Sequence, residues 1–242
     1  MDDDIMPYEY LDDIDFSIIT MGLKYLPFYE DDLYLGMQAM NSGLADCHVT
    51  QMEYELLRTY IEIEKTPTEL ALTVGALSQM WAYGTYEVLR MWRDRMFSFR
   101  TWRETGGIAS KIESLEKNSD DLNLTTQIRK RQLQKYMDDE GYRLLIDNTW
   151  KTIEPAYRSV EFYRINLAKH CAPGKDNIIP RAPGYGRINM YCGSLDYELI
   201  GNDGIYETLC RRDLADCIRN CIKYSQQDNA PEGNSAVLHC PR

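Results

Sequence analysis

Three histidines in 242 residues leave few groups able to exchange a proton near neutral pH. General acid–base chemistry is thereby narrowed to His48, His170, His239 or a displaced carboxylate. The chain also lacks a glycine-rich phosphate loop with a following Lys, a His-Glu-x-x-His pair, a nucleophile elbow and a dinucleotide fingerprint. Those absences argue against P-loop nucleotidases, zinc proteases, α/β-hydrolases and dinucleotide-dependent enzymes. No run comes near the roughly 20 consecutive apolar residues that a membrane helix needs. The opening Met1-Asp2-Asp3-Asp4 has neither the basic nor the apolar character of a secretory leader, so a cytoplasmic location without membrane contact is expected. Seven cysteines, an odd number without paired metal-type spacing, predict reduced thiols packed as small hydrophobes.

The net charge of −11 is concentrated at one end. Residues 1–32 hold ten acids against one base, Lys24, whereas the remaining residues hold 28 acids and 26 bases. An acidic N-terminal arm (1–32) therefore precedes a nearly neutral body, which can carry a local basic groove for an acidic polymer. A solvated acidic face is a simpler account of the arm than one in which it shields such a groove.

Hydrophobic periodicity predicts a mainly α protein: a helical bundle of long helices (33–172), then a short β-hairpin and closing helix packed on it (173–224) and a loose tail (225–242). The clearest helix starts at Thr66-Pro67-Thr68-Glu69, with Thr66 as cap, Pro67 in the first turn and Glu69 completing a capping box. Leu70, Val74, Leu77, Trp81, Gly84, Val88 and Met91 then form one stripe that ends before Gly106-Gly107. Gly75 and Gly84 suggest close approach of a neighbouring element. Upstream, 31–45 and 50–64 read as two helices with His48 in the turn between them. Residues 108–122 read as a polar connection. A helical region begins near Asn123 and runs to about Asn148, and a last stretch starts or kinks at Pro155 and ends at His170 before Pro173-Gly174. Gly186–Tyr191 and Leu195–Ile200 flank Cys192-Gly193-Ser194 as a hairpin, and Thr208 or a neighbour caps the closing helix.

The segment Arg164-Ile165-Asn166-Leu167-Ala168-Lys169-His170 is the best place for chemistry. Asn166 and His170 lie four positions apart on one helix face, where the amide can orient the imidazole. Arg164 and His170 are six apart, about 120° around an ideal helix. They converge on a ligand if the last turn loosens or if two chains pair across this helix end. An RNA phosphodiester suits the pair without a metal: His takes the 2′-hydroxyl proton and Arg stabilises the developing phosphate charge. Arg90 and Arg93, with Trp92 and Phe97 between and beyond them, and Lys169 beside the motif, are the candidate RNA-binding residues. Ion pairing of the same arginines with Asp94 is the competing account.

On these residues the chain resembles the HEPN superfamily, helical-bundle proteins whose active site is an Arg and a His with four to six residues between. Leu77–Arg93 also resembles an earlier bundle helix of that family, and the likeness spans about residues 50–172. It implies a metal-independent, homodimeric endoribonuclease of a toxin–antitoxin or phage-defence system, with Arg164 and His170 catalytic and Asn166 their polar companion. No cofactor is implied, and an antitoxin or other regulatory protein is the implied partner. The position after Arg164 is Ile165, with the polar residue one place later, and Ala172 stands where some members carry a modifiable tyrosine. A catalytically silent helical module that binds a protein partner is the second reading. A zinc site assembled from Cys47-His48, His170-Cys171 and His239-Cys240 is a third, although none of these pairs has zinc-ligand spacing.

Overall fold

The computed structural model describes residues 8–117 and 123–227, and within them the chain is mainly α-helical. The helices are α1 (Ser17–Lys24), α2 (Leu33–Ile63), α3 (Thr68–Glu104), α4 (Ile108–Lys117), α5 (Leu124–Asp138), α6 (Glu140–Lys169) and α7 (Arg211–Gln227). Three short strands, β1 (Gly186–Ile188), β2 (Leu195–Ile200) and β3 (Tyr206–Leu209), lie between α6 and α7 as an antiparallel sheet with β2 in the centre. The framework is α3 packed against α2 and α6, with α7 packed mainly on α6 and also touching α3, and α1 bridging α2 and α7. At 1.5 Å per residue the 37-residue α3 is about 55 Å long and touches nearly every other layer.

Apolar spacing explains the core. Val74, Trp81, Val88, Leu89, Trp92, Met96 and Phe99 turn one face of α3 inward, where they meet Ile146, Ile153, Val160 and Leu167 of α6. Around the distal half of α3, Phe28 contacts Trp92, Phe99 and Tyr142, and Phe99 contacts Tyr136, mostly edge to face. Such geometry puts the positive edge of one ring on the negative face of the next.

Several expectations change. The region 31–64 is one helix, so His48 sits in mid-helix and not in a turn. Ser42-Gly43 reads locally as a break, yet Gly43 is buried where α1 crosses: a Cβ there would lie 2.6 Å from the backbone nitrogen of Thr20. Asp32 caps α2, its Oδ1 accepting the Leu35 N–H at 3.1 Å. The capping box at Thr66 does not form; Pro67 takes the cap position without a side-chain bond and α3 begins at Thr68. The polar stretch after Gly107 contains α4, whose Ile108 and Ile112 are buried. The chain breaks at Asp139 instead of near Asn148, because Asp139 closes α5 and its carboxylate caps α6 by accepting the Tyr142 N–H. Helix α6 runs through Pro155 without interruption. The hairpin gains a third strand, β3, and Asp213 supports the start of α7 by accepting the Cys210 N–H.

The acidic arm is also more than an arm: from Ile14 onward it is part of the core, with Ile19, Leu23, Leu26, Phe28 and Tyr29 buried. Met1 to Pro7 and residues 228–242 lie outside the described residues, so the tail expected from 225 is helical as far as Gln227. Cys47, Cys171, Cys192, Cys210 and Cys221 are free thiols, four of them buried as expected.

A buried ionic cluster fastens α7 and the sheet to α2. Arg211 and Arg219 are almost wholly buried and meet Asp46 and Glu53, both fully buried and seven residues apart on α2. Glu53 Oε1 also accepts from Ser194 at 2.7 Å, and Thr50 accepts from Arg211 at 2.7 Å. Trp81 lies under the Arg211 guanidinium at 5.1 Å. Burial alone would lower the Arg211 pKa, but Glu53 and Asp46 outweigh it and hold the group above its ordinary value. The fit tightens at Gly193, whose backbone has φ of 75° and approaches the Glu53 carbonyl so closely that a Cβ would overlap it.

Candidate functional site

The end of α6 is shaped by His170. The residue adopts a left-handed conformation, φ 54° and ψ 36°, as the helix C-cap, and its N–H donates to the Asn166 carbonyl at 2.8 Å. That conformation is unfavourable for a residue with a Cβ, and it turns the chain sharply away from the helix axis. The His170 side chain is exposed and its ring lies against Gly184, where a Cβ would come within 3.1 Å of the imidazole Cε1. Gly184 has φ of 75°, so it serves both the turn and the room for the ring.

Gly184 lines a cavity of about 710 Å³ between the first half of α3 and the segment around β1. Tyr60, Gln79, Tyr185, Arg187, Met190 and Tyr197 contribute to its wall. The volume and the mixture of aromatic faces with a few polar groups match a small-ligand or nucleobase pocket. Gly75 also lines it, and a Cβ there would meet Leu195 and the Tyr197 hydroxyl at 3.2 and 3.4 Å. The expected close approach at Gly75 is therefore present, whereas Gly84 faces open space.

Arg164 takes a different direction from His170. Its guanidinium stacks over Tyr86 at 4.6 Å, half-buried, and among the described residues no carboxylate forms an ion pair with it. It lies close enough to Tyr83 to pull back the rise that burial imposes on that phenol. Tyr83 in turn neighbours Tyr197, one wall of the cavity. His170 thus touches the cavity through Gly184, whereas Arg164 is one residue further removed, through Tyr83 beside Tyr197, and no hydrogen bond joins the two.

Asn166 is not a companion of the imidazole. Its side chain is buried, with Oδ1 accepting the Ile200 N–H at 2.9 Å and Nδ2 donating to the carbonyls of Ile200 at 3.4 Å and Phe162 at 3.2 Å. It ties the sheet to α6, and its only link to His170 is through the backbone.

The two α3 arginines are engaged in the protein itself. Arg90 pairs with Glu87 at 2.6 Å and Asp94 at 2.9 Å. Arg93 sits over Phe97 and Tyr157 at 5.1 and 5.2 Å and pairs with Asp94 at 3.3 Å. Arg100 continues the row over Phe97, balanced by Asp147. The row of rings and cations along α3 and α6 is therefore charge-compensated, which removes the excess positive charge that phosphate binding requires. Lys169 is exposed in the last turn of α6, next to His170 and with no ion-pair partner among the described residues. Among those residues no group of three or more His, Cys, Asp or Glu is arranged to hold a metal ion. His48 lines a second groove, about 590 Å³, between α2 and α3, whose wall contains no other histidine.

The cavity wall was not legible from the sequence, because Tyr60, Gln79 and Arg187 come from three segments with no shared motif. The alternation of Gly184-Tyr185-Gly186 was the available signal, since closely spaced glycines beside an aromatic mark a backbone that passes near something else. No family model, curated protein or solved structure matches the chain.

Proposed function

We propose that the end of α6 and the cavity beside it form the active site of a metal-independent endoribonuclease of the HEPN type. One observation carries the reading: His170 is exposed beside Gly184 at the cavity edge, while Arg164 of the same helix end stacks on Tyr86 with no carboxylate to neutralise it among the described residues. In that reading a base occupies the pocket lined by Tyr60, Tyr185 and Tyr197, and the scissile phosphate lies between Arg164 and His170. His170 accepts the 2′-hydroxyl proton, the 2′-oxygen attacks phosphorus and the 5′-oxygen leaves, taking a proton from solvent water, to give a 2′,3′-cyclic phosphate and a 5′-hydroxyl end. Arg164 leaves Tyr86 to meet the equatorial oxygens, and Lys169 supplies the remaining positive charge. Asn166 has no chemical part, and a second copy of the chain would bring two such ends together. A role in toxin–antitoxin or phage-defence systems, with a regulatory protein partner, follows from the family likeness alone.

The test is cleavage of a defined RNA by purified protein in EDTA, with the product ends identified. His170→Ala should remain folded and lose cleavage; equal cleavage by that variant overturns the assignment. A second reading, a silent module that binds a protein, is favoured by the neutralised arginine row and by the largely apolar groove of Ala45, Leu77, Met80 and Gly84. It predicts that Arg164→Ala and His170→Ala change nothing while Met80→Lys abolishes complex formation.

A further inference from the structure

At the distal end of α3, remote from His170, α2, α3, α4 and α5 enclose a cavity of about 220 Å³ lined by Asp32, Arg95, Leu115, Thr125, Thr126 and Arg129. We infer that this cavity binds a phosphate group, held by the guanidinia of Arg95 and Arg129 and by the hydroxyls of Thr125 and Thr126.

The inference rests on how the charges are spent. Asp32 is the one carboxylate lining the cavity. Its Oδ1 caps α2, and its Oδ2 accepts from Arg95 at 3.2 Å. Arg95 is further held by Gln132 Oε1 at 3.1 Å, and Gln132 is anchored through its amide to the Phe28 carbonyl at 2.7 Å. Arg95 is thus positioned by the fold. Arg129 is not matched in this way. Its Nη1 is buried without any hydrogen-bond partner, and no carboxylate lies within ion-pair distance of it among the described residues. The Phe99 ring lies 5.4 Å from the guanidinium, which gives some cation–π stabilisation but accepts no conventional hydrogen bond.

A half-buried guanidinium with a buried, unused N–H is costly, since the desolvation of that group is not returned by a partner. Burial, and then the neighbouring Arg95, bring its pKa down to about 10. It stays charged at neutral pH, so the cavity carries two positive charges against one negative. A tetrahedral anion answers each need. Its oxygens accept from both guanidinia and from hydroxyl donors, and a phosphate group fits a space of this size while an ester substituent projects outward. Roughly 16 residues of α3 separate Arg95 from Gln79 at the other cavity, about 24 Å along the helix. This site is therefore independent of the proposed ribonuclease centre.

The experiment uses the full chain and three probes, inorganic phosphate, adenosine 5′-monophosphate and adenosine, at constant ionic strength set with chloride. Phosphate at about tenfold excess over its Kd should raise the thermal midpoint by about 3 °C relative to chloride alone. Calorimetric titration should give one site per chain. Arg129→Met removes the unmatched charge while keeping the stem of the side chain. It should fold with an unchanged or higher midpoint and bind phosphate at least about tenfold more weakly, the loss expected for a charged hydrogen bond. If adenosine 5′-monophosphate binds more tightly than inorganic phosphate and adenosine does not bind, the natural ligand is a phosphate monoester. Equal binding of the two phosphates identifies the free anion as sufficient. No midpoint shift beyond the chloride control, or full binding by Arg129→Met, overturns the site.

Discussion

Asn166 of α6 grips Ile200 of β2 by both of its backbone groups, accepting the N–H at 2.9 Å and donating to the carbonyl at 3.4 Å. Both partners are buried, so water cannot replace either bond. Asn166→Leu should therefore cost about 2 to 4 kcal/mol, the penalty for two backbone groups left unmatched. Thermal unfolding and amide exchange at Ile200 check this. An unchanged midpoint together with lost activity would return Asn166 to a chemical role.

The segment leading into the same sheet is held by Glu53, which in turn is held by Arg211. A methionine at 211 would leave Glu53 a buried charge with Ser194 as its remaining partner, while Asp46 keeps its ion pair with Arg219. Arg211→Met should lower stability by about 3 to 5 kcal/mol. The double change Arg211→Met, Glu53→Gln should recover part of that loss, because it removes the orphaned charge along with its partner. Denaturant unfolding of both proteins decides the point, and equal stabilities would mean that the Glu53 carboxylate is satisfied without Arg211.

Legibility in the sequence followed the range of the interactions. The stripe of α3 and its stop at Gly106-Gly107 depend on residues a few positions apart, and both were readable. The continuity of α2 through Ser42-Gly43 was not, because it depends on α1 crossing at Thr20. Arg211 is fully buried, against the usual exposure of arginine, because its partners Asp46 and Glu53 lie far off in the chain on α2. Asp46 and Glu53 gave a hint, since a spacing of seven places two acids on one helical face. At the site, His170 was located correctly at the helix end, but Asn166 was misassigned because its partner is 34 residues away.

Gly193 illustrates a constraint of shape. Its φ of 75° and its contact with the Glu53 carbonyl both exclude a side chain. Gly193→Ala should cost about 3 kcal/mol or more, through backbone strain and displacement of the sheet from α2. Gly174, also at positive φ but with open space around it, is the control. Gly174→Ala should cost only the conformational part, about 1 kcal/mol. Similar losses at both positions would show that contact with Glu53 contributes nothing.

Asp196 gives a prediction in pH. Its carboxylate is raised above the ordinary 3.8, by burial first and by Asp213 as well, with the Asn189 hydrogen bond opposing the rise. The folded protein thus holds this proton more tightly than the unfolded chain does. The group's stabilising contribution is complete below the unfolded value and is lost as pH rises through the folded one. Asp196→Asn escapes the loss and can still accept from Asn189. Its stability relative to the natural protein should increase from about pH 4 upward and then level off. A difference that is constant with pH would show that the ionised carboxylate is not disfavoured.

His170 sets stability against chemistry in one residue. A left-handed C-cap is favoured by glycine and tolerated by asparagine, so histidine there carries a conformational cost that either replacement relieves. The exposed ring makes no side-chain hydrogen bond within the described residues that would offset it. His170→Gly and His170→Asn should therefore be as stable as the natural protein or about 0.5 kcal/mol more so. If the imidazole is the base, both variants should cleave RNA at least about 100-fold more slowly. Melting curves and single-turnover cleavage on the same preparations separate the two effects. Destabilised variants would mean that the ring is a structural cap, and stable variants with full activity would place the chemistry elsewhere.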